Sequence, residues 1–331
     1  MGESPQGTRN LRISPAYIIV MKNTASPSNA SLAASITRKA STQTFYTIRF
    51  LADPERVEDA YRAYAYFRWV DDTLDAPGAS RPENLLFVER QKSLLDACYH
   101  REPLPRTNPH EGILIGLVQR DGAKADGLQI YLRNMMAVMD FDAKRRGSLV
   151  SQFELNEYSH NLASAVTEAM HHFVGHGCSA PRDDTRYLAV TAAHITHMLR
   201  DTLDDIQAGY FNIPREVLEA NNNSAQDVSS EPYREWVRGR VALAREYFKV
   251  GKSYLLHVEN ARFRLACYGY VSRFEGVLDA IEREGYVLRA AYPESESPGA
   301  MVRSIGSMLR MVMERHRKHL SPLHERSLRG L

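Results

Sequence analysis

Two short stretches carry residue types and spacings that suggest chemistry. Residues 64–75 read YAYFRWVDDTLD and residues 199–205 read LRDTLDD. In each, two aspartates stand four apart, Asp71 with Asp75 and Asp201 with Asp205. A helix would set each pair on one face about one turn apart. Asp72 and Asp204 lie alongside. No lysine alternates with these carboxylates, so something else must offset their repulsion. Carboxylates from two helices, facing across a cavity, would suit a hard divalent cation. Mg²⁺ prefers oxygen ligands, keeps several waters and is usually completed by substrate phosphates. Arg68 and Arg200 adjoin the clusters and could take phosphate oxygens in bidentate fashion. The aromatic run before the first cluster, with Tyr64 and Phe67, could line an apolar tunnel or steady a carbocation. An acidic string can also be plain surface charge on a helical scaffold. Repetition of the spacing, each time beside an arginine and an apolar stretch, favours the metal–diphosphate reading.

Helices must position these clusters, and the flanking residues signal them. Asp53-Pro54-Glu55 reads as an N-cap with proline in the first turn, opening a helix over 54–75. Its apolar positions run through Ala60, Tyr64, Phe67 and Val70, and APGASRP (76–82) stops it. The same reasoning predicts helices over 83–99, 128–143, 151–175, 183–207, 231–257, 260–285 and 298–319. No Asn-Gly or Asp-Gly hairpin separates alternating runs, and Asp121-Gly122 and Asp126-Gly127 flank only a short loop. The expected fold is all-α, a single-domain helical bundle around a central cavity. Residues 1–40, rich in Ser, Thr, Asn and Pro, read as weakly ordered, with Met21 a candidate start. The helical domain is expected over 41–320, followed by a basic tail at 321–331.

Composition narrows the function classes. The chain has 331 residues, 44% hydrophobic and 25% charged, near globular norms. A net charge of +2 gives no reason to expect a nucleic-acid binder. Cys98, Cys178 and Cys267 form no CxxC pair and read as reduced thiols of a cytoplasmic protein. No stretch approaches the roughly 20 apolar residues that cross a bilayer, and AYIIVM (16–21) is too short for a signal-peptide core. The stretch RMVMERHRKHLSPLHERSLRG (310–330) mixes apolar and cationic residues. It reads as a solvated terminal helix, with peripheral contact to an anionic membrane surface as the alternative.

Taken in order, these motifs resemble the squalene/phytoene synthase family, the head-to-head prenyl synthases of the class I isoprenoid-synthase fold. TQTFYTI (42–48) is similar to the family's early segment, AYAYFRWVDDTLD (63–75) to its first aspartate motif, and Met139-Asp140 with Tyr158 to its middle segment. ITHMLRDTLDDIQAGYFNIP (195–214) resembles the second aspartate motif, and FEGVLDAIEREGY (274–286) a late helix. The resemblance implies Mg²⁺ (or Mn²⁺) held by Asp71, Asp75, Asp201 and Asp205, with Asp72 and Asp204 as ligands or supporting groups. It implies diphosphate contacts from Arg68 and Arg200, and substrate contacts from Thr44, Phe45, Tyr64, Phe67, Tyr158 and Phe274. The implied substrate is an allylic prenyl diphosphate such as farnesyl or geranylgeranyl diphosphate. Squalene formation in this family consumes NADPH and phytoene formation does not, so the resemblance leaves NADPH open. Monomer and homodimer also stay open.

The sequence departs from the family in a pattern. His194 and His197 replace a usual Gln and Asn, and Gly209-Tyr210-Phe211-Asn212 replaces Gly-Arg-x-Tyr, which removes a cation and moves the aromatic. Ser41 and Gln43 stand where basic side chains are frequent, and Phe274 where tyrosine is. The ionising carboxylates remain while groups around them change, so a cyclase acting on one prenyl diphosphate is the alternative. His194 and His197 would lie on the Asp201 helix, either as hydrogen-bonding replacements or as a base toward the final cation. HHFVGH (171–176) sets His172 and His176 at helical ligand spacing with Glu168 one turn away, which suggests a zinc hydrolase as a remoter alternative.

Overall fold

The computed structural model describes residues 29–121 and 126–293. Those residues form eleven α-helices and a 3-10 turn at Pro54–Arg56, with no strand among them. The helices are α1 Asn29–Ala40, α2 Thr42–Leu51, α3 Val57–Leu74, α4 Arg81–His100, α5 Pro109–Arg120 and α6 Asp126–Arg145. They continue as α7 Gln152–Phe173, α8 Thr185–Ala208, α9 Arg215–Ala220, α10 Glu231–Leu255 and α11 Ala261–Arg283.

Local chemistry explains most starts. Ser80 with Glu83, Asn108 with Glu111 and Ser151 with Glu154 form reciprocal capping boxes at α4, α5 and α7. Ser230 and Asn260 cap α10 and α11 through Tyr233 N and Phe263 N. Gly209 ends α8 with φ of 88°, a left-handed conformation that glycine adopts without a Cβ penalty.

Three local expectations change. Residues 29–40, expected to be weakly ordered, form α1, which packs along α3 with Ala33 and Thr37 fully buried. The Ser and Thr content masked an Ala-rich stripe that a neighbouring helix could cover. Asp53 makes no side-chain cap on the turn it precedes. Its carboxylate instead accepts from Gly175 N and His176 N at 2.9 Å and from Arg262 at 2.5 Å, tying the end of α7 to α11. Third, α2, α5 and α9 are not among the expected helices. The helix expected over 298–319, the tail at 321–331 and Met21 lie outside the described residues.

The apolar interior falls into two large clusters. One joins α3, α4, α5, α6 and α7 around Tyr66, Leu94, Ile113, Leu114 and Leu132. The other joins α8, α10 and α11 around Leu199, Val237, Phe248, Val277 and Ile281. A small third cluster of Val150, Leu155 and Met198, with Phe141 against it, lies between α6, α7 and α8. The first aspartate helix therefore belongs to one core and the second to the other. No helix among the described residues is long and apolar enough to cross a membrane.

Candidate active site

A cavity of about 210 Å³ opens where these cores meet. Asp71 and Asp75 line it from the end of α3, and Asp201 and Asp205 from α8. The two repeated spacings thus converge on one space. Asp75 is the C-cap of α3 rather than a residue of its last turn, its N–H bonding to Asp71 O. Asp71, Asp75 and Asp205 sit in or beside the last turn of their helices, with Asp201 one turn earlier, and neither last turn carries a basic residue. The helix dipole is negative there, and a carboxylate so placed costs roughly 0.3–1 kcal/mol where a cation would gain it. Arg68 and Arg200 supply part of the offsetting charge from within the chain.

The ionisation of the carboxylates tells the same story. Burial, then repulsion from Asp75, pushes Asp71 up to about 6 despite a side chain 42% exposed at the cavity mouth. Burial likewise pushes Asp205 up to about 6, against a hydrogen bond from Asn212 Nδ2 to its Oδ2 at 2.6 Å. Asp201 goes the other way. Burial would raise it, but Arg200 donates to its two oxygens at 2.6 and 2.7 Å and His197 Nε2 contacts Oδ2 at 2.7 Å. Together they hold that carboxyl well below the usual range. Arg68 pairs with Asp71 at 3.4 Å and with Asp72.

Several cavity residues escaped the sequence reading. Asp142, Arg145, Tyr210 and Asn212 join the lining with Leu74 and Met198. The buried Arg145 guanidinium donates to Asp142 at 2.7 Å and to Asn212 Oδ1 at 2.9 Å. It also lies 4.9 Å from the ring centroids of both Tyr158 and Tyr210. Tyr158 donates to Asp142 Oδ2 at 3.2 Å, and Tyr210 to Asp75 Oδ1 at 3.2 Å. The segment MDFDAKRRG held a signal for two of these, since Asp142 and Arg145 are three apart at a helix end. Arg145 at the end of α6 and Arg146 just after it also place cations against Tyr210, where the sequence had suggested a lost positive charge.

Tyr158, His194 and His197 line the cavity. Phe274 lies behind His197, ring to ring at 6.3 Å. The remaining candidates lie elsewhere. Phe67 is buried edge-on to Tyr131 in the first core, because its turn of α3 faces α6. Tyr64 and Thr44 are half-buried and not among the lining residues, and Phe45 stacks on Tyr61 at 5.0 Å. Ser41 caps α2 through Thr44 N, and Gln43 accepts from Arg273 of α11, so one altered position caps its helix and the other ties α2 to α11. Asp72 and Asp204 are exposed on the outer faces of their helices.

The histidines of the alternative zinc reading line a second cavity with Glu168. There Glu168 is taken by Arg186 at 2.7 and 2.8 Å and by Tyr187 at 3.0 Å, and Arg56 donates to His172 Nε2 at 2.6 Å. That leaves His172 without its expected acidic co-ligand. Among the described residues, no three His, Cys, Asp or Glu side chains converge tightly enough to hold a metal ion by themselves.

An all-α bundle with aspartates of two helices on one interhelical cavity defines an isoprenoid-synthase fold, and comparisons with known proteins agree. A squalene synthase from Alicyclobacillus acidocaldarius superposes with a TM-score of 0.61 at 17% identity, covering 79% of this chain and 95% of that one. A dehydrosqualene synthase solved with ligand gives 0.63 at 15% identity, covering 86% and 96%. In sequence, the chain is 26% identical to the 15-cis-phytoene synthase of Synechocystis sp. over 268 residues, 74% of each protein. The family profile described as squalene/phytoene synthase matches residues 37–296. The chain belongs to the squalene/phytoene synthase family and is a prenyltransferase enzyme.

Proposed function

We propose that the protein uses Mg²⁺ to ionise an allylic prenyl diphosphate, farnesyl or geranylgeranyl diphosphate, and joins two such chains head to head with release of diphosphate. The observation that carries this reading is the meeting of Asp71, Asp75, Asp201 and Asp205 on one cavity between two apolar cores. The donors fit the cation: they are hard oxygen ligands near negative helix ends, two of them pushed up to about 6 chiefly by burial, which a bound cation would oppose. Since no three converge alone, substrate phosphate and water would complete the coordination, as is usual for Mg²⁺. Bound there, Mg²⁺ or Mn²⁺ would draw charge from the leaving diphosphate.

The chain's own groups do the rest. Arg200 and Arg68 pair with Asp201 and Asp71 and, outside the cavity lining themselves, act on the site through those carboxylates. Arg145 fixes Asp142 and, through Asn212, Asp205. The Tyr158 ring, already faced by the Arg145 guanidinium, lines the cavity with Leu74 and Met198, and a bound prenyl chain would itself displace water that would quench a cation. This reading leaves NADPH open, since the proteins similar to this chain include both a squalene synthase and a phytoene synthase.

The test is to incubate purified protein with Mg²⁺ and each diphosphate, following diphosphate release and identifying products by mass spectrometry. Products with twice the substrate's carbon number are expected. No release from either substrate would overturn the reading, and a cyclised product from one chain would replace condensation with cyclisation.

A further inference from the structure

His194 is the one cavity group whose polar atoms have nothing to do. It stands on α8 seven residues before Asp201, 5% exposed, its ring edge-on to Tyr158 at 5.0 Å. Both Nδ1 and Nε2 are buried without a hydrogen-bond partner. The other cavity-facing donors are committed: Tyr158 to Asp142, His197 to Asp201, Tyr210 to Asp75 and Asn212 to Asp205. Buried polar groups in folded proteins are nearly always paired, and an orphaned one is costly. An imidazole left in this state, on the wall of a reaction chamber, points to a partner that arrives with the substrate.

Resting on the prenyl diphosphate reading above, we propose that His194 is the terminal base. It accepts the proton whose loss discharges the final carbocation to an alkene, so that the reaction ends without a hydride donor. The C–H bond beside the cationic carbon breaks, its electron pair forms the C=C bond, and the proton bonds to an imidazole nitrogen. The imidazolium then returns the proton to the departing diphosphate or to water as product leaves.

The surroundings suit this role. Burial, then His197 on the same helix, Arg145 from α6 and Arg240 from α10, lower His194 to about 3 and keep it neutral. So weak a base still accepts a proton from carbon beside a cationic centre, which is far more acidic than imidazolium. It also gives the proton up readily afterwards. Tyr158 is unsuited, because its hydroxyl donates to Asp142 and burial raises it well above the ordinary tyrosine range.

The experiment compares wild type with His194→Gln, His194→Phe and His194→Ala, with Mg²⁺ and farnesyl or geranylgeranyl diphosphate, with and without NADPH. The quantity read is alkene formed per diphosphate released, which does not depend on how fast ionisation runs. We expect that ratio to fall at least ~10-fold in each variant, in favour of water-captured alcohols or unfinished intermediates. Free imidazole should restore it in His194→Ala, whose truncation leaves a space of the ring's size. Variants with the wild-type ratio, a rescue that fails, or a wild-type product that forms only with NADPH would overturn the assignment. If wild type releases no diphosphate at all, it is the prenyl diphosphate reading that falls.

Discussion

Asp71 and Asp205 make the proposed cation requirement measurable. Burial leads in raising each carboxyl to about 6, so between about pH 4 and 6 the folded chain keeps protons that the unfolded chain has released. Their contribution to stability therefore falls as pH rises through that window. Asp201 works oppositely: its lowered carboxyl contributes stability that is in place above about pH 4 and is lost as pH falls toward the folded value. Thermal melts from pH 4 to 8 should show a decline between 4 and 6 that is shallower in Asp71→Asn, and shallower in wild type with Mg²⁺ and inorganic diphosphate. A decline unchanged by both would remove the role given to these carboxylates. In turnover, Asp71→Asn or Asp205→Asn should each cost ~10²–10³-fold in diphosphate release, the scale of losing one preorganised electrostatic group. The activity limb of wild type should rise through about pH 6 as these groups ionise.

At the scale of elements, the second aspartate helix is positioned by its contact with α10. Gly251 lies where the two approach closely: a Cβ there would sit 2.6 Å from Ala189 N and 2.7 Å from Ala189 Cβ. Gly239, on the same helix, has nothing within 4 Å. Both glycines are helical, so alanine gains intrinsic propensity of roughly 1 kcal/mol at either position. At Gly239 that gain stands alone, and Gly239→Ala should stabilise by about 0.5–1 kcal/mol. At Gly251 overpacking against backbone costs about 1–3 kcal/mol and outweighs it. Gly251→Ala should therefore lower the urea midpoint while Gly239→Ala raises it. Equal effects would mean that α8 and α10 do not pack as described. The helices themselves were largely legible, since Ser80, Ser151 and Ser230 announce three of them. The capping box of α5, Asn108 with Glu111, was equally present but sits in a short proline-flanked segment whose periodicity is brief. Composition hid α1, because a helix of small residues needs a partner surface to declare its buried face.

Over the whole molecule, α1 closes the first core against α3, and that is testable by truncation. A chain beginning at Ser41 should be less stable than one beginning at Asn29 by on the order of 3 kcal/mol, from uncovering apolar surface around Tyr61. Equal urea midpoints would show that α1 contributes nothing to that core. Residue types and spacing determined the all-α class and the helices carrying the two aspartate pairs. Helical repeat fixes which residues share a face, and carboxylates four apart read the same in any context. Only the tertiary structure decided which faces meet. It turned Phe67 into the first core, left Asp72 and Asp204 outside, and brought Asp142 and Arg145 from α6 and Tyr210 and Asn212 from beyond α8 to the cavity. It also left His194 buried and unpaired. Those outcomes depend on how α3, α6, α7 and α8 rotate about their axes as two separate cores close. That rotation is set by packing between residues far apart in the chain, which no local spacing records.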